Sequence, residues 1–230
     1  VLEVFDRLPS HLNFGVEVLI VPEIIGSQFY LNDNRAPNLG IFVESVGSNG
    51  EFEVQSTFDG RSVLDKVIKA RLEQKHDGCL VPFKKNYAND EIVFEAHSCP
   101  MVSVTRGIFE HYHTSDDNFE GLNIANIDDT IEFIFDIINL LNQQVLIERK
   151  NRGLVSLANP IYDLYVDPGQ PAFGDVIDNK KQRLLMDYIF MLPRFSFLDE
   201  ICDTVGLSKQ QVLSYIRACE AKGLFKVFNI

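Results

Sequence analysis

Nowhere do the 230 residues hold the run of roughly 18 uninterrupted apolar side chains that a membrane-spanning helix needs. The best candidate, Ile131 to Ile147, is broken by Glu132, Asp136, Asn139 and Asn142, so no membrane partner is expected. Basic residues are also scarce. The 21 Lys and Arg stand against 33 Asp and Glu, a net charge of -12 that argues against broad binding to nucleic acid or to an anionic membrane surface. Only a local basic patch stays open. Cysteine is limited to Cys79, Cys99, Cys202 and Cys219, far apart and without a CxxC pair, which suits reduced, mostly buried thiols and a cytoplasmic setting. GxSxG, a P-loop and GxGxxG are all missing, which weakens serine-hydrolase, nucleotide and dinucleotide readings.

What is present is a chain able to fold. At 46% hydrophobic and 11% aromatic it can bury a proper core, as one large domain or as one plus a small one. It opens at Val1 with VLEVFDRL, which already has a helix's apolar spacing and no signal-peptide architecture before it, so the chain is expected to be the C-terminal part of something longer.

Two regimes meet across Asn151 to Gly174, where Pro160, Pro168, Pro171, Gly153, Gly169 and Gly174 mark a boundary segment. Before it, apolar runs alternate with helical patterns, the sign of a layered α/β domain over residues 1–174. Strands are expected at Gly15 to Val21, Leu39 to Gly47, Glu51 to Phe58, Ile92 to Phe94 and Met101 to Val104. A helix is expected over Arg61 to Gln74, with Lys66, Lys69 and Arg71 in water, and the longest over Ile127 to Ile147. Over residues 175–230 the pattern is helix to Leu192, helix Leu198 to Val205, a turn at Gly206, a third helix opened by the capping pair Ser208 and Gln211, and a closing strand, the order of a winged helix. That third helix carries Lys209, Gln210, Ser214 and Arg217, which could face DNA. Eight basic against six acidic residues from Asp178 onward, a net near +2, is too little to prefer DNA over a packing module.

Three clusters can carry chemistry. Glu23, in VPEIIGSQFYL, follows a buried strand, where ligand sites of α/β sheets form; a helix N-terminal residue is the plainer reading. Glu44, in LGIFVESVG, ends an apolar strand, and burying it unpaired would cost several kcal/mol. It therefore needs a metal, a cation or a hydrogen-bond donor, as a ligand or in a structural ion pair. In HYHTSDD, His113 lies beside Asp116 and Asp117, which could orient its second nitrogen as in zinc sites; two solvated surface histidines are the alternative. HSCP, with His97 and Cys99, is expected to pack as core, and His11 and His76 to be loop and helix-end residues.

Together, VPEIIGSQFYL, GIFVESVG, NDE (Asn89 to Glu91) before CPMVSVTR, and EHYHTSDDNFE resemble the co-catalytic zinc aminopeptidases of the bacterial leucyl aminopeptidase type. The nearer likeness is to a branch of polysaccharide-biosynthesis proteins with an aminopeptidase-like domain and a C-terminal winged helix. The resemblance implies a three-layer α/β/α core, partial here, with an appended winged helix. It implies a zinc-dependent hydrolase of amides, with two zinc ions in the complete family site and a small peptide or amidated sugar as substrate. His113 and Glu44 are implied as ligands to different ions. The family's adjacent glutamates, a general base and a ligand, meet Pro22 and Glu23 here, which leaves Glu23 as ligand or base. Tyr112 and Arg106 are substrate-side candidates or structural. The family's first histidine ligand and bridging aspartate come from a segment before the position of Val1, so metal binding by these residues alone is expected to be weak or absent. The rival expectation is a non-catalytic scaffold that keeps the fold and meets a partner, a second copy included, through the winged helix.

Overall fold

The computed structural model describes residues 2–75, 77–85, 89–107, 111–167 and 179–228. It divides into two compact units, Val1–Leu141 and Asn142–Ile230. Residues 151–167 of the expected boundary segment thus fall within the second unit, and 168–178 lie outside the described residues.

The first unit runs α1 (Leu2–Asp6), α2 (Ile25–Asp33), β1 (Gly40–Val43), β2 (Glu53–Gln55), α3 (Val63–Lys75), β3 (Cys79–Val81), α4 (Asp90–Ala96), β4 (Met101–Thr105) and α5 (Ile124–Gln143). Its sheet has the order β1-β4-β2-β3. β1 and β4 are parallel, from Gly40 opposite Met101 to Val43 opposite Val104, while β2 runs antiparallel to β4 and parallel to β3. The inner strands β2 and β4 are largely buried, with Val54, Val102 and Val104 fully enclosed, whereas β1 is half-buried along its length. α3 packs on β3 and β4 through Val63, Leu64, Ile68 and Leu72, and α4 packs on β1 and β4. At Gly50 a Cβ would lie 1.7 Å from the Arg106 carbonyl oxygen, so only glycine lets that loop cross the end of β4.

Several expectations need correction. Residues 15–21 form no strand: the run has no ladder partner, and Ile20 is 75% exposed. Ile92 to Phe94 is not a strand but the middle of α4, a case in which a short β-favouring run was overridden by the helix starting at Asp90. Arg71 does not stay wet. It is 4% exposed, donates from Nε to Asp136 (2.7 Å) and from Nη1 to Asp77 (2.8 Å), and lies over the Phe133 ring. α5 ends at Gln143, and the following residues turn into a strand.

That strand, β5 (Leu146–Arg149), is the centre of the second unit's antiparallel sheet, ordered β6-β5-β7. The rest is α6 (Asn179–Ile189), β6 (Phe195–Phe197), α7 (Leu198–Val205), α8 (Lys209–Ala221) and β7 (Phe225–Phe228). The expected local signals hold: Gly206 takes a left-handed φ of 65° after α7, and Ser208 and Gln211 form both bonds of the capping box. Leu185, Ile189, Ile201, Val212, Ile216 and Cys219 make one apolar core. Cys99, Cys202 and Cys219 are buried free thiols, whereas Cys79 is exposed.

Candidate functional site

β1 stops where an acidic residue replaces its apolar run. Glu44 keeps one more ladder bond, its N–H donating to the Val104 carbonyl at 3.1 Å, and leaves its side chain half-buried beyond the strand end. The next residue, Ser45, has a φ of 51°, so the chain turns sharply away. Asn89 Nδ2 donates to Glu44 Oε1 at 3.3 Å. Burial pushes the Glu44 carboxyl above its ordinary range; the Asn89 bond opposes this, the Glu23 and Asp90 carboxylates add to it, and the His113 imidazole pulls back down. Glu23 and His113, 21 residues before and 69 after in sequence, thus both act electrostatically on Glu44.

Glu23 is exposed and sits at the first corner of a γ-turn. The Ile25 N–H returns to the Glu23 carbonyl at 2.5 Å around Ile24, whose φ of 55° and ψ of -55° are strained for a β-branched residue. Asp90 holds that turn from α4: its Oδ1 accepts the Ile24 N–H at 2.9 Å and also the Ser27 hydroxyl. His113 is exposed, has a φ of 61°, and stacks on Tyr112 with ring centroids 3.9 Å apart. The turn carrying it is closed by the Thr114 N–H and hydroxyl, both donating to the His111 carbonyl. Positive φ at Ile24, Ser45 and His113 thus falls on or directly beside all three candidate residues, and strain of this kind costs about 1 to 3 kcal/mol at each.

Arg106 faces elsewhere. Its side chain is 11% exposed, and its guanidinium pairs with Asp129 at 3.6 Å, reaches the Asn126 carbonyl and covers the Phe52 ring, in a cleft of about 230 Å³ shared with Arg71, Asp77 and Phe133. His97 is exposed while Cys99 is buried, so only the cysteine half of HSCP packs as core; His11 is exposed, and His76 lies outside the described residues. Residue-type reasoning passed over Gln55. It is buried, and its Nε2 donates to Glu91 Oε1 at 3.0 Å; Glu91 is wholly enclosed and, chiefly through burial, has its carboxyl pushed up. The polar glutamine ending a buried strand was the signal available.

Two carboxylates and an imidazole around a half-buried negative spot have the donor chemistry of a zinc site. Among the described residues, however, no three His, Cys, Asp or Glu side chains already stand together so as to hold one ion. No described helix is long and apolar enough to cross a membrane.

The fold is of the aminopeptidase-like α/β class. A protein from Clostridium acetobutylicum, described provisionally as a peptidase, superposes with a TM-score of 0.52 at 19% identity over 90% of this chain. The chain spans 46% of that protein's length. An aminopeptidase from Aneurinibacillus sp. strain AM-1 (18% identity, 50% of this chain and 29% of that one, TM-score 0.43) and a zinc aminopeptidase from Bacillus subtilis (15%, 52% and 33%, TM-score 0.44) are more distant likenesses. Within that class, the sequence profile described as Domain of unknown function (DUF4910) matches residues 6–144, and the chain belongs to this family. No curated protein matches the chain in sequence.

Proposed function

We propose that the chain carries part of the active site of a zinc-dependent, aminopeptidase-like amide hydrolase, with Glu23, Glu44 and His113 as the ligands it offers. The observation that carries this reading is the electrostatic state of Glu44: half-buried, pressed by the Glu23 and Asp90 carboxylates, and relieved by one imidazole. Such an excess of negative charge is what a divalent cation offsets. When bound, zinc would polarise an amide carbonyl and lower the pKa of a bound water.

The chain's own residues supply the rest. Glu44 is fixed by the strand end and by Asn89. Glu23, exposed on its γ-turn, would be a further ligand or the proton acceptor, and His113, exposed on its own turn, a further ligand. Tyr112, stacked on His113, is the substrate-side group. Arg106 serves α5 through Asp129. The substrate class is a peptide N-terminus or an amide on a modified sugar.

A second reading, a scaffold that keeps the fold without the chemistry, is favoured by one observation: the described residues include no group of three placed to hold an ion. Here the second unit, read as a winged helix, would meet a protein partner. Two basic residues of α8 that could face DNA are already paired, Lys209 with Asp199 and Arg217 with Glu220. Calorimetric zinc titration, metal analysis and hydrolysis of aminoacyl amides test both readings when run on the chain together with the segment that would supply the remaining histidine and aspartate ligands. Zinc bound at micromolar concentration and lost in His113→Ala and Glu44→Gln supports the hydrolase. No zinc and no chelator-sensitive hydrolysis leaves the scaffold.

A further inference from the structure

The residue at the N-cap of α4 does not cap its helix. An asparagine there ordinarily accepts a hydrogen bond from the second or third helical N–H, and this is why the position favours it. Asn89 makes no such bond, and its backbone lies at φ -129° and ψ -128°. Glu91 beside it is turned to the sheet, its Oε1 accepting from Gln55 Nε2 at 3.0 Å. The asparagine amide instead reaches 45 residues back in sequence to put Nδ2 on Glu44 Oε1.

This arrangement has a visible cost. Asn89 is 6% exposed, and its Oδ1 has no hydrogen-bond partner among the described residues. A buried acceptor left empty is unfavourable, and a side chain that both forgoes its cap and strands an acceptor breaks two local rules at once. Sites where sequence follows function over stability have this character. What offsets the two losses is the bond to Glu44. The direction of the amide is also determined, because the flipped arrangement would aim Oδ1 at a carboxylate oxygen.

We infer that Asn89 is a positioning residue for Glu44: by occupying Oε1 it sets the rotation of a carboxylate that would serve as a ligand. The inference rests on the hydrolase reading for its purpose but not for its test. Partners of this kind, behind a metal ligand, typically change metal affinity by about 10- to 100-fold.

The test is a double-mutant cycle of Asn89→Ala and Glu44→Ala in the full chain, free of metal, read by hydrogen exchange of the buried β4 amides. A positioning bond predicts coupling: the two substitutions together change the opening constant by about 3- to 10-fold less than the product of their separate effects. A residue that merely starts α4 predicts additivity, and additivity overturns the inference. Zinc titration then separates this result from the hydrolase reading. Asn89→Ala should weaken zinc by about 10- to 100-fold, with Asn89→Ser, which keeps a donor, weakening it less. Coupling without any zinc binding, when the unsubstituted protein also carries the segment that would supply the remaining ligands, leaves Asn89 as the positioner of Glu44 and removes the zinc. Zinc binding that Asn89→Ala leaves unchanged overturns the positioning role.

Discussion

Asp90 and Ile24 are joined by a single hydrogen bond, Ile24 N–H to Asp90 Oδ1 at 2.9 Å, and through it α4 determines where the backbone of Glu23 turns. The same oxygen accepts the Ser27 hydroxyl in the first turn of α2, so one carboxylate, 8% exposed, braces both the γ-turn and the helix that follows it. Asp90→Ala leaves a strained turn with an unpaired N–H. Hydrogen bonds to charged groups contribute about 1.5 to 3 kcal/mol, so a loss of about 3 kcal/mol in the first unit is expected, with exchange protection falling at Ile24 to Gln28. Asp90→Asn, which keeps an acceptor, should lose about half of that. Equal loss from both would mean that the charge, not the acceptor, is what matters.

Ile24 itself separates strain from connectivity. Glycine adopts its φ of 55° without a Cβ penalty, so Ile24→Gly relieves about 1 to 2 kcal/mol of backbone strain, offset by lost side-chain burial and by a freer unfolded chain. The net change should stay within about 1 kcal/mol of zero. Ile24→Pro demands a φ near -65° and deletes the N–H that Asp90 accepts, and should cost about 3 kcal/mol or more. Denaturant midpoints of the two variants check this, and a proline variant as stable as the glycine one would show that the γ-turn is not needed.

Arg71 is a further buried charge of the first unit. It lies between Asp77 and Asp136, whose side chains are 45% and 33% exposed, and it also covers Phe133. Because both carboxylates can rehydrate, Arg71→Ala should cost about 3 kcal/mol, at the low end for a broken buried pair. Arg71→Met, which refills the space over the ring, should recover about 1 kcal/mol of it in thermal unfolding.

What could be read without coordinates was mostly what is decided within a few residues. The Ser208 and Gln211 box and the glycine stop at Gly206 depend on neighbours in the chain, and each stands where the pattern put it; the strand expected over Leu39 to Gly47 is shorter, Gly40–Val43, with Glu44 just past its end. Glu44 was expected to require a metal, a cation or a donor, and the partner it has in the fold is a donor, Asn89, 45 residues away. β5 was hidden because Leu146 to Arg149 continues an apolar helix in composition. It becomes a strand only through pairing with β6 and β7, about 50 and 80 residues later in the chain. α4 was hidden because Ile92, Val93 and Phe94 favour strands, while the helix is held by contacts to β1 and β4, which no local spacing encodes.

Glu148, on the central strand of the second unit, makes stability depend on pH in a calculable direction. Its side chain is 3% exposed, and burial alone would raise its pKa; the Lys150 ammonium at 2.8 Å and the Arg194 guanidinium at 2.8 Å outweigh this and hold it below the ordinary value of 4.5. A carboxyl whose pKa is lower folded than unfolded binds fewer protons in the folded state. Its contribution is therefore complete above the unfolded value and is lost as pH falls through the lower folded one. Glu148→Gln removes the charge that both cations address and should cost about 2 kcal/mol near neutrality. The difference between unsubstituted chain and variant should be flat from about pH 7 to about pH 5 and shrink from there toward about pH 3, as the glutamate in the unsubstituted chain takes up its proton. Exchange protection at Ile147, whose amide lies in the same strand, reports the gap at each pH. A difference that instead widens on acidification would mean that burial outweighs the two cations, with Glu148 neutral already at pH 7.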